Sequence, residues 1–113
     1  MITIEKLKKF GANTDEGLGR CLNDENFYLT LVESAITFEQ IDVLSEQILA
    51  GDLDSAFESA HAMKGVFANL SLDPIYKTVC DLTEHLRIRE QMEYSELMSK
   101  LRAQMSELKE LSE

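Results

Sequence analysis

The sequence predicts an all-α fold, namely an antiparallel up-and-down four-helix bundle with short additional N-terminal helices. Apolar residues recur every three or four positions along most of the 113 residues, which is the period of an amphipathic helix. Only one proline and five glycines interrupt this pattern, and the segments between the apolar stripes are short, as in antiparallel bundles. We expect one domain over residues 1–113, because a chain of this length supports a single core.

The first third of the chain predicts three short helices. Thr3 is placed to cap a helix that reaches Phe10, and Gly11 then offers a left-handed stop. Two further helical segments follow at residues 14–22 and 24–36, separated by a polar junction. The apolar positions that keep the helical period in these two segments are Leu18, Leu22, Phe27, Leu31 and Ala35.

Residues 37–70 predict two longer helices. The tetrapeptide "TFEQ" at 37–40 has the form of a capping box, so a helix restarts or bends there. Its apolar stripe ends before Gly51, and Asp52 is placed to cap a helix over residues 53–70. The predicted stripes are Ile41, Leu44, Ile48 and Leu49 in the first helix and Ala56, Ala60, Met63, Phe67 and Leu70 in the second.

Two more helices complete the predicted bundle. Asp73 suits an N-cap and Pro74 the first helical position, opening a helix that continues to Arg89. The last helix is expected over residues 94–111. Its stripe would also suit a coiled-coil dimer, but it extends over only about two to three heptads, so we expect a monomer.

Composition and charge limit the classes of function. The formal net charge of -10 disfavours nucleic acid and anionic membranes as partners, because their phosphate groups would be repelled. A protein partner is therefore expected. No apolar run approaches the roughly 20 residues that cross a bilayer, and "MITIEKLKKFG" lacks the apolar segment of a signal peptide. We expect a cytoplasmic location, and the initial methionine favours a free-standing protein.

The two cysteines, Cys21 and Cys80, lie far apart in the sequence, without the spacing of a metal site. We expect both to be reduced and mostly buried. A disulfide or a reactive thiol is the alternative.

The segment "AHAMKGVFANL", residues 60–70, carries the candidate chemistry. At about 100° per residue, His61, Lys64, Gly65 and Ala68 share a strip beside the predicted buried stripe of that helix. A neutral imidazole is nucleophilic near neutral pH, and Lys64 lies one turn away, where its ammonium would neutralise a dianionic group. Gly65 weakens the helix by roughly 1 kcal/mol relative to alanine. It either gives a partner protein room to approach the imidazole or lets two helices pack closely.

These residues suggest a phosphoryl group carried on His61 and exchanged with another protein. The chain has no P-loop, no kinase-type glycine-rich motif and no acidic metal-binding loop, so we expect a carrier rather than an enzyme, with no cofactor. The remaining machinery must then come from the partner.

At this point the sequence resembles the histidine-containing phosphotransfer (HPt) domain family of phosphorelays. The family signature H-x-x-K-G is matched by His61, Lys64 and Gly65, with a small residue at Ala68 and an asparagine at Asn69. "LAGDLDSAFES" before the motif and "LTEHLR" after it fit the same pattern. The resemblance covers about residues 15–90. One departure is Ser71, where many members have glycine, and it places the local turn in question.

The resemblance implies a role for each matched residue. His61 would accept the phosphoryl group through Nε2, and Lys64 would steady the phosphoryl oxygens. Gly65, Ala68 and Asn69 would form the docking surface, with Glu58 at its rim. The partners would be response-regulator receiver domains and a hybrid sensor histidine kinase, with the divalent metal supplied by the receiver.

Two other interpretations stay open. A non-catalytic helical adaptor or inhibitor that binds a sensor kinase or receiver would show the same charge and helix pattern. Glu58 and His61 also form an E-x-x-H unit of the kind found in di-iron bundles. That site would need a second unit, but Leu82 stands three residues before His85, so we expect no metal site. His85 itself is expected to have a surface or packing role.

Overall fold

The computed structural model describes all residues from Met1 to Glu113, and it contains helices and no strands. The predicted all-α class is confirmed. The seven helices are α1 (Ile4–Phe10), α2 (Thr14–Arg20), α3 (Glu25–Ala35), α4 (Glu39–Leu49), α5 (Leu53–Asn69), α6 (Asp73–Arg87) and α7 (Ser95–Glu110). None of them is long and apolar enough to span a membrane.

The N-terminal helices begin at polar caps, as the local sequence requires. The Thr3 hydroxyl accepts a hydrogen bond from the Lys6 N–H at 3.1 Å, and Gly11 ends α1 with a left-handed φ of 113°. Both predictions for this helix are confirmed. Asn13 and Asp24 cap α2 and α3 through their side-chain oxygens, each satisfying an N–H that lacks a helical partner.

The predicted core positions of α2 and α3 are partly wrong. The second segment ends at Arg20 rather than at position 22, because Leu22 adopts a left-handed φ of 58°, and its side chain is 87% exposed. Phe27 is also exposed, whereas the neighbouring Tyr28 is fully buried. Tyr28 gains the buried position because its ring covers Gly17, which has no side chain to exclude it.

The start and the end of α4 also differ from the prediction. The capping box does not form: Phe38 is the N-cap, and it makes no side-chain capping bond. Thr37 Oγ1 instead accepts from the Glu39 N–H at 3.2 Å. Leu49, expected in the stripe, is 85% exposed because it stands about 140° around the helix from the buried Leu44.

Helix α5 follows its prediction closely. Asp52 caps it by accepting from the Ser55 N–H at 3.1 Å, and its last helical residue is Asn69. The whole predicted stripe is buried, comprising Ala56, Ala60, Met63, Phe67 and Leu70.

Helices α6 and α7 are shorter than predicted. Leu72 is the N-cap of α6, so Asp73 lies within the first turn beside Pro74 rather than capping it. At the other end Arg89 adopts a left-handed φ of 52°. Its N–H donates to the Leu86 carbonyl and the Glu90 N–H to the His85 carbonyl, both at 3.0 Å. This hydrogen-bond pattern is a Schellman motif, which ends the helix. Helix α7 begins one residue late, after its N-cap Tyr94.

Helix α5 lies in the middle of the helical packing. It packs against α4 and α6, and α6 packs against α7. Thr78 donates to Gln104 Oε1 at 2.7 Å, and Gln104 Nε2 donates to the Pro74 carbonyl at 3.1 Å, which joins α6 to α7. Arg102 reaches Asp42 at 2.8 Å and so connects α7 to α4. The cysteines form no disulfide; Cys21 is buried and Cys80 is half-buried.

The N-terminal helices hold the end of α5 in place. The Tyr28 hydroxyl donates to the Leu70 carbonyl at 2.9 Å, and Arg20 donates to the Ala68 carbonyl. Leu70 is the C-cap residue and its carbonyl accepts no backbone N–H, whereas the Ala68 carbonyl also accepts from the Ser71 N–H at 3.1 Å. Ser71 then turns the chain with a left-handed φ of 54°. This conformation explains why glycine would suit the position, and Ser71 Oγ accepts from Arg20 at 3.2 Å.

Two glycines of α2 should respond oppositely to alanine. A Cβ at Gly17 would lie 2.6 Å from the Tyr28 ring, whereas one at Gly19 meets no atom within 4 Å. Gly17→Ala should therefore lower the free energy of unfolding by about 1–3 kcal/mol, and Gly19→Ala should raise it slightly. Urea unfolding measures both. Equal effects of the two substitutions would contradict the contact between Gly17 and Tyr28.

Tyr28 should also make the free energy of unfolding fall as the pH rises in the alkaline range. Burial, assisted by the nearby Cys21 and Asp73, raises the pKa of Tyr28 from 10.0 to about 12. Between these two values the unfolded chain releases a proton that the folded chain retains, so unfolding becomes easier as pH rises. The stability advantage of wild type over Tyr28→Phe should be constant below pH 10 and shrink towards pH 12. A constant difference up to pH 12 in urea unfolding would contradict this.

Candidate functional site

The candidate site occupies the face of α5 that points away from its buried stripe. His61 and Gly65 are exposed, and Lys64 and Ala68 are half-buried beside them. At about 100° per residue these four side chains fall within one arc of the helix, beside the buried stripe, with Lys64 nearest to it and Gly65 farthest from it. The structure therefore brings together the four residues that the sequence placed on one strip. Asn69 and Glu58 are exposed on the flank of the same arc.

The polar groups of this face are not engaged with the rest of the chain. Neither ring nitrogen of His61 makes a hydrogen bond or an ion pair within the protein, and the same holds for the Lys64 ammonium. The imidazole and the ammonium are thus both available to a ligand that approaches from solvent.

Gly65 leaves open space next to the imidazole. A Cβ built at Gly65 meets no atom within 4 Å, so the glycine does not serve a close helix contact. The alternative of a packing glycine does not hold at this position, although it does hold at Gly17. The surface one turn beyond His61 is bare.

On the N-terminal side of His61 lies the aromatic side chain of Phe57, whose contact with the imidazole was not predicted from the sequence. The Phe57 ring stacks on the imidazole, with ring centroids 5.6 Å apart and an interplanar angle of 23°. Helical side chains lean towards the N-terminus, so a residue contacts the one four positions before it. The i, i+4 spacing of Phe57 and His61 is the sequence signal that would have revealed the pair.

Two arginines from the end of α6 cover the Phe57 ring. The guanidinium carbons of Arg87 and Arg89 lie 5.2 Å and 5.1 Å from its centroid, within the range of cation–π contacts. Arg89 also donates to the Asp54 carboxylate and, through Nη1, to the Leu86 carbonyl at 2.7 Å. These contacts depend on the pairing of α5 with α6, so the sequence around His61 does not predict them.

A partly apolar groove of about 490 Å³ lies between α4 and α5, on the flank of the site away from Phe57. Ala62 and Val66 of α5 form one wall, with Val43 and Thr37 opposite. Val66 and Val43 are both more than a third exposed. The surface next to His61 therefore combines polar groups with accessible apolar side chains.

No three histidine, cysteine or acidic side chains come together as a metal site. Glu58 and His61 both point to solvent rather than into the bundle, which does not suit a di-iron centre. His85 is half-buried, with Nδ1 3.3 Å from the Glu90 carboxylate, and belongs to α6 rather than to α5.

Comparison with known proteins identifies the family. The model of the Hpt domain matches residues 32–111, which is well over half of the chain. This match begins later and ends later than the resemblance seen in the sequence, so α1, α2 and the first part of α3 lie outside it. No curated protein and no solved structure matches the chain. The chain belongs to the Hpt domain family, whose members carry phosphoryl groups on histidine in phosphorelays and interact with receiver domains and kinases.

Proposed function

We propose that this protein is a phosphorelay intermediate that accepts a phosphoryl group on His61 from a receiver-domain aspartate and transfers it to another receiver. The observation that carries the proposal is the accessibility of the imidazole. Its nitrogens have no partner in the chain, and the adjacent turn has no side chain at Gly65. Because His85 lacks such surroundings, His61 is the histidine that suits the role.

The transfer requires little from the carrier. The unprotonated nitrogen of His61, which we assign as Nε2, attacks the phosphorus of the receiver's aspartyl phosphate. An N–P bond forms as the O–P bond breaks, and the aspartate leaves as a carboxylate. The second receiver reverses these steps, with its aspartate as the nucleophile. The receivers supply the divalent metal that neutralises the transferred group, so the carrier needs neither a nucleotide site nor a cofactor of its own.

The neighbouring residues have distinct roles in this proposal. The ammonium of Lys64 lies one turn from His61, where it offsets the negative charge of the phosphoryl oxygens. Gly65 and the small Ala68 let the receiver surface approach. Asn69 and Glu58 contact the receiver at the edge of the docking surface, which both reach because they are exposed.

We further propose that residues 1–113 form one HPt-type domain that acts as a monomer, with α4–α7 arranged as an antiparallel four-helix bundle. The buried hydrophobic residues form a single cluster that includes members of the N-terminal helices as well as of α4–α7. Short connections between α4, α5 and α6 favour antiparallel neighbours. The cognate partners would be receiver domains and a hybrid sensor histidine kinase.

The transfer itself is directly measurable. Incubation with a receiver phosphorylated in the presence of magnesium should move acid-labile, base-stable label onto this chain. His61→Gln should abolish the labelling, and His85→Gln, which removes the other histidine, should leave it intact. Label that persists in His61→Gln would overturn the assignment. Tight receiver binding without any label on the wild type would instead favour an adaptor.

Substitutions of Gly65 should stabilise the helix but hinder transfer. Gly65→Ala should raise the free energy of unfolding by up to about 1 kcal/mol, because alanine is the better helix former and nothing lies within 4 Å. Gly65→Gln should preserve the helix but raise the receiver concentration that half-saturates transfer by about tenfold, equivalent to about 1.4 kcal/mol of docking free energy. Gly19→Ala is the control that changes stability alone. Normal transfer by Gly65→Gln would contradict the clearance role.

A further inference from the structure

We propose that Phe57 is a positioning residue for His61, held in place by Arg87 and Arg89 from the end of α6. This inference rests on the proposed function, since it concerns how the phosphoacceptor is oriented. It assigns a role in transfer to side chains outside the H-x-x-K-G signature.

A constraint on the exposed imidazole favours transfer, because it holds the reactive nitrogen where the phosphorus arrives. The χ1 torsion of His61 otherwise samples several staggered states and its χ2 torsion a broad range, and only some of these orientations present the reactive nitrogen to an incoming phosphorus. The turn on the C-terminal side of His61 offers no side chain to restrict the imidazole, because Gly65 stands there in open space. On the N-terminal side, the Phe57 ring stacks on the imidazole and restricts its orientation, with the two ring planes 23° from parallel.

Phe57 would be a poor support if it were itself mobile. Its ring is half-buried, and two guanidinium groups lie within 5.2 Å of its centroid. Arg89 is fixed in turn by Asp54 at the start of α5 and by the carbonyls of Leu86 and Arg87, at 2.7 Å and 2.9 Å. The Schellman turn of α6 is thereby joined to the first turns of α5, and the Phe57 ring is held between the two helices.

The charges of the two arginines are partly compensated on the protein. Arg89 pairs with Asp54, and Arg87 Nε lies 3.5 Å from the Glu84 carboxylate. Their cation–π contacts are directed at Phe57 rather than at the imidazole. We therefore assign the arginines to holding the ring, not to binding the phosphoryl oxygens.

Phe57→Leu keeps an apolar side chain but removes the stack, and two readouts test it together. The transfer rate at saturating receiver should fall roughly three- to tenfold, the factor that corresponds to one aromatic pair. The half-saturating receiver concentration should stay unchanged. In NMR spectra of the unphosphorylated protein, the ring-proton signals of His61 should move towards those of an unstacked histidine. Phe57→Tyr should restore both readouts.

Phe38→Leu is the matched control, because Phe38 also carries a cation–π contact, with Lys109 at 5.8 Å, but does not stack on His61. It should leave the His61 signals and the saturated transfer rate at wild-type values. If Phe57→Leu transfers at the wild-type rate and leaves the His61 signals in place, the positioning role is overturned. A wild type that takes no label overturns the proposed function instead, and the NMR signals then still report whether the stack exists.

The double variant Arg87→Gln/Arg89→Gln tests the support of the ring. It should shift the His61 ring-proton signals in the same direction as Phe57→Leu and slow saturated transfer by a smaller factor. If transfer slows while the His61 signals stay at their wild-type positions, the arginines act on the phosphoryl group directly. That result would overturn their assignment as supports of Phe57.

Discussion

The structure depends on one constraint, which is that α5 must be firmly packed on one face and bare on the opposite face. Its buried stripe, including Met63 and Phe67, packs against α4 and α6 and belongs to the core. The opposite arc carries His61 and Gly65 with no covering element. A nucleophile that exchanges a group with other proteins needs both properties. A mobile helix would not hold the nucleophile in a reactive orientation, and a covered helix face would exclude the partner.

The segments around α5 fix its two ends by different means. At the C-terminal end, the Tyr28 hydroxyl of α3 satisfies the Leu70 carbonyl, and Arg20 of α2 is a second donor to the Ala68 carbonyl, which also accepts from the Ser71 N–H. At the N-terminal end, Asp54 contacts Arg89 and Phe57 contacts both Arg87 and Arg89, at the end of α6. Arg20 and Tyr28 both precede the Hpt match, which begins at residue 32, so residues before the matched segment hold the C-terminal end of α5.

Local sequence rules predicted much of this arrangement, because the features concerned are decided within one or two turns. The caps at Thr3 and Asp52 and the stripe of α5 are of this kind. Features decided by distant contacts were missed or wrong. Tyr28 rather than Phe27 is buried, because Gly17 of another helix leaves room for its ring. The contacts of Phe57 with Arg87 and Arg89 likewise depend on the pairing of α5 with α6. Helical spacing alone predicts only that Phe57 lies next to His61.

The central claim is that His61 is the phosphoacceptor, and NMR of the phosphorylated protein tests it most directly. With histidine labelled by nitrogen-15, a bond to phosphorus splits the signal of the bonded ring nitrogen. The chain has only two histidines, so each signal is assigned by one substitution. We expect the splitting on Nε2 of His61, with the His85 signals unchanged. Splitting on His85, or a receiver that loses its phosphoryl group while neither histidine gains one, would contradict the account.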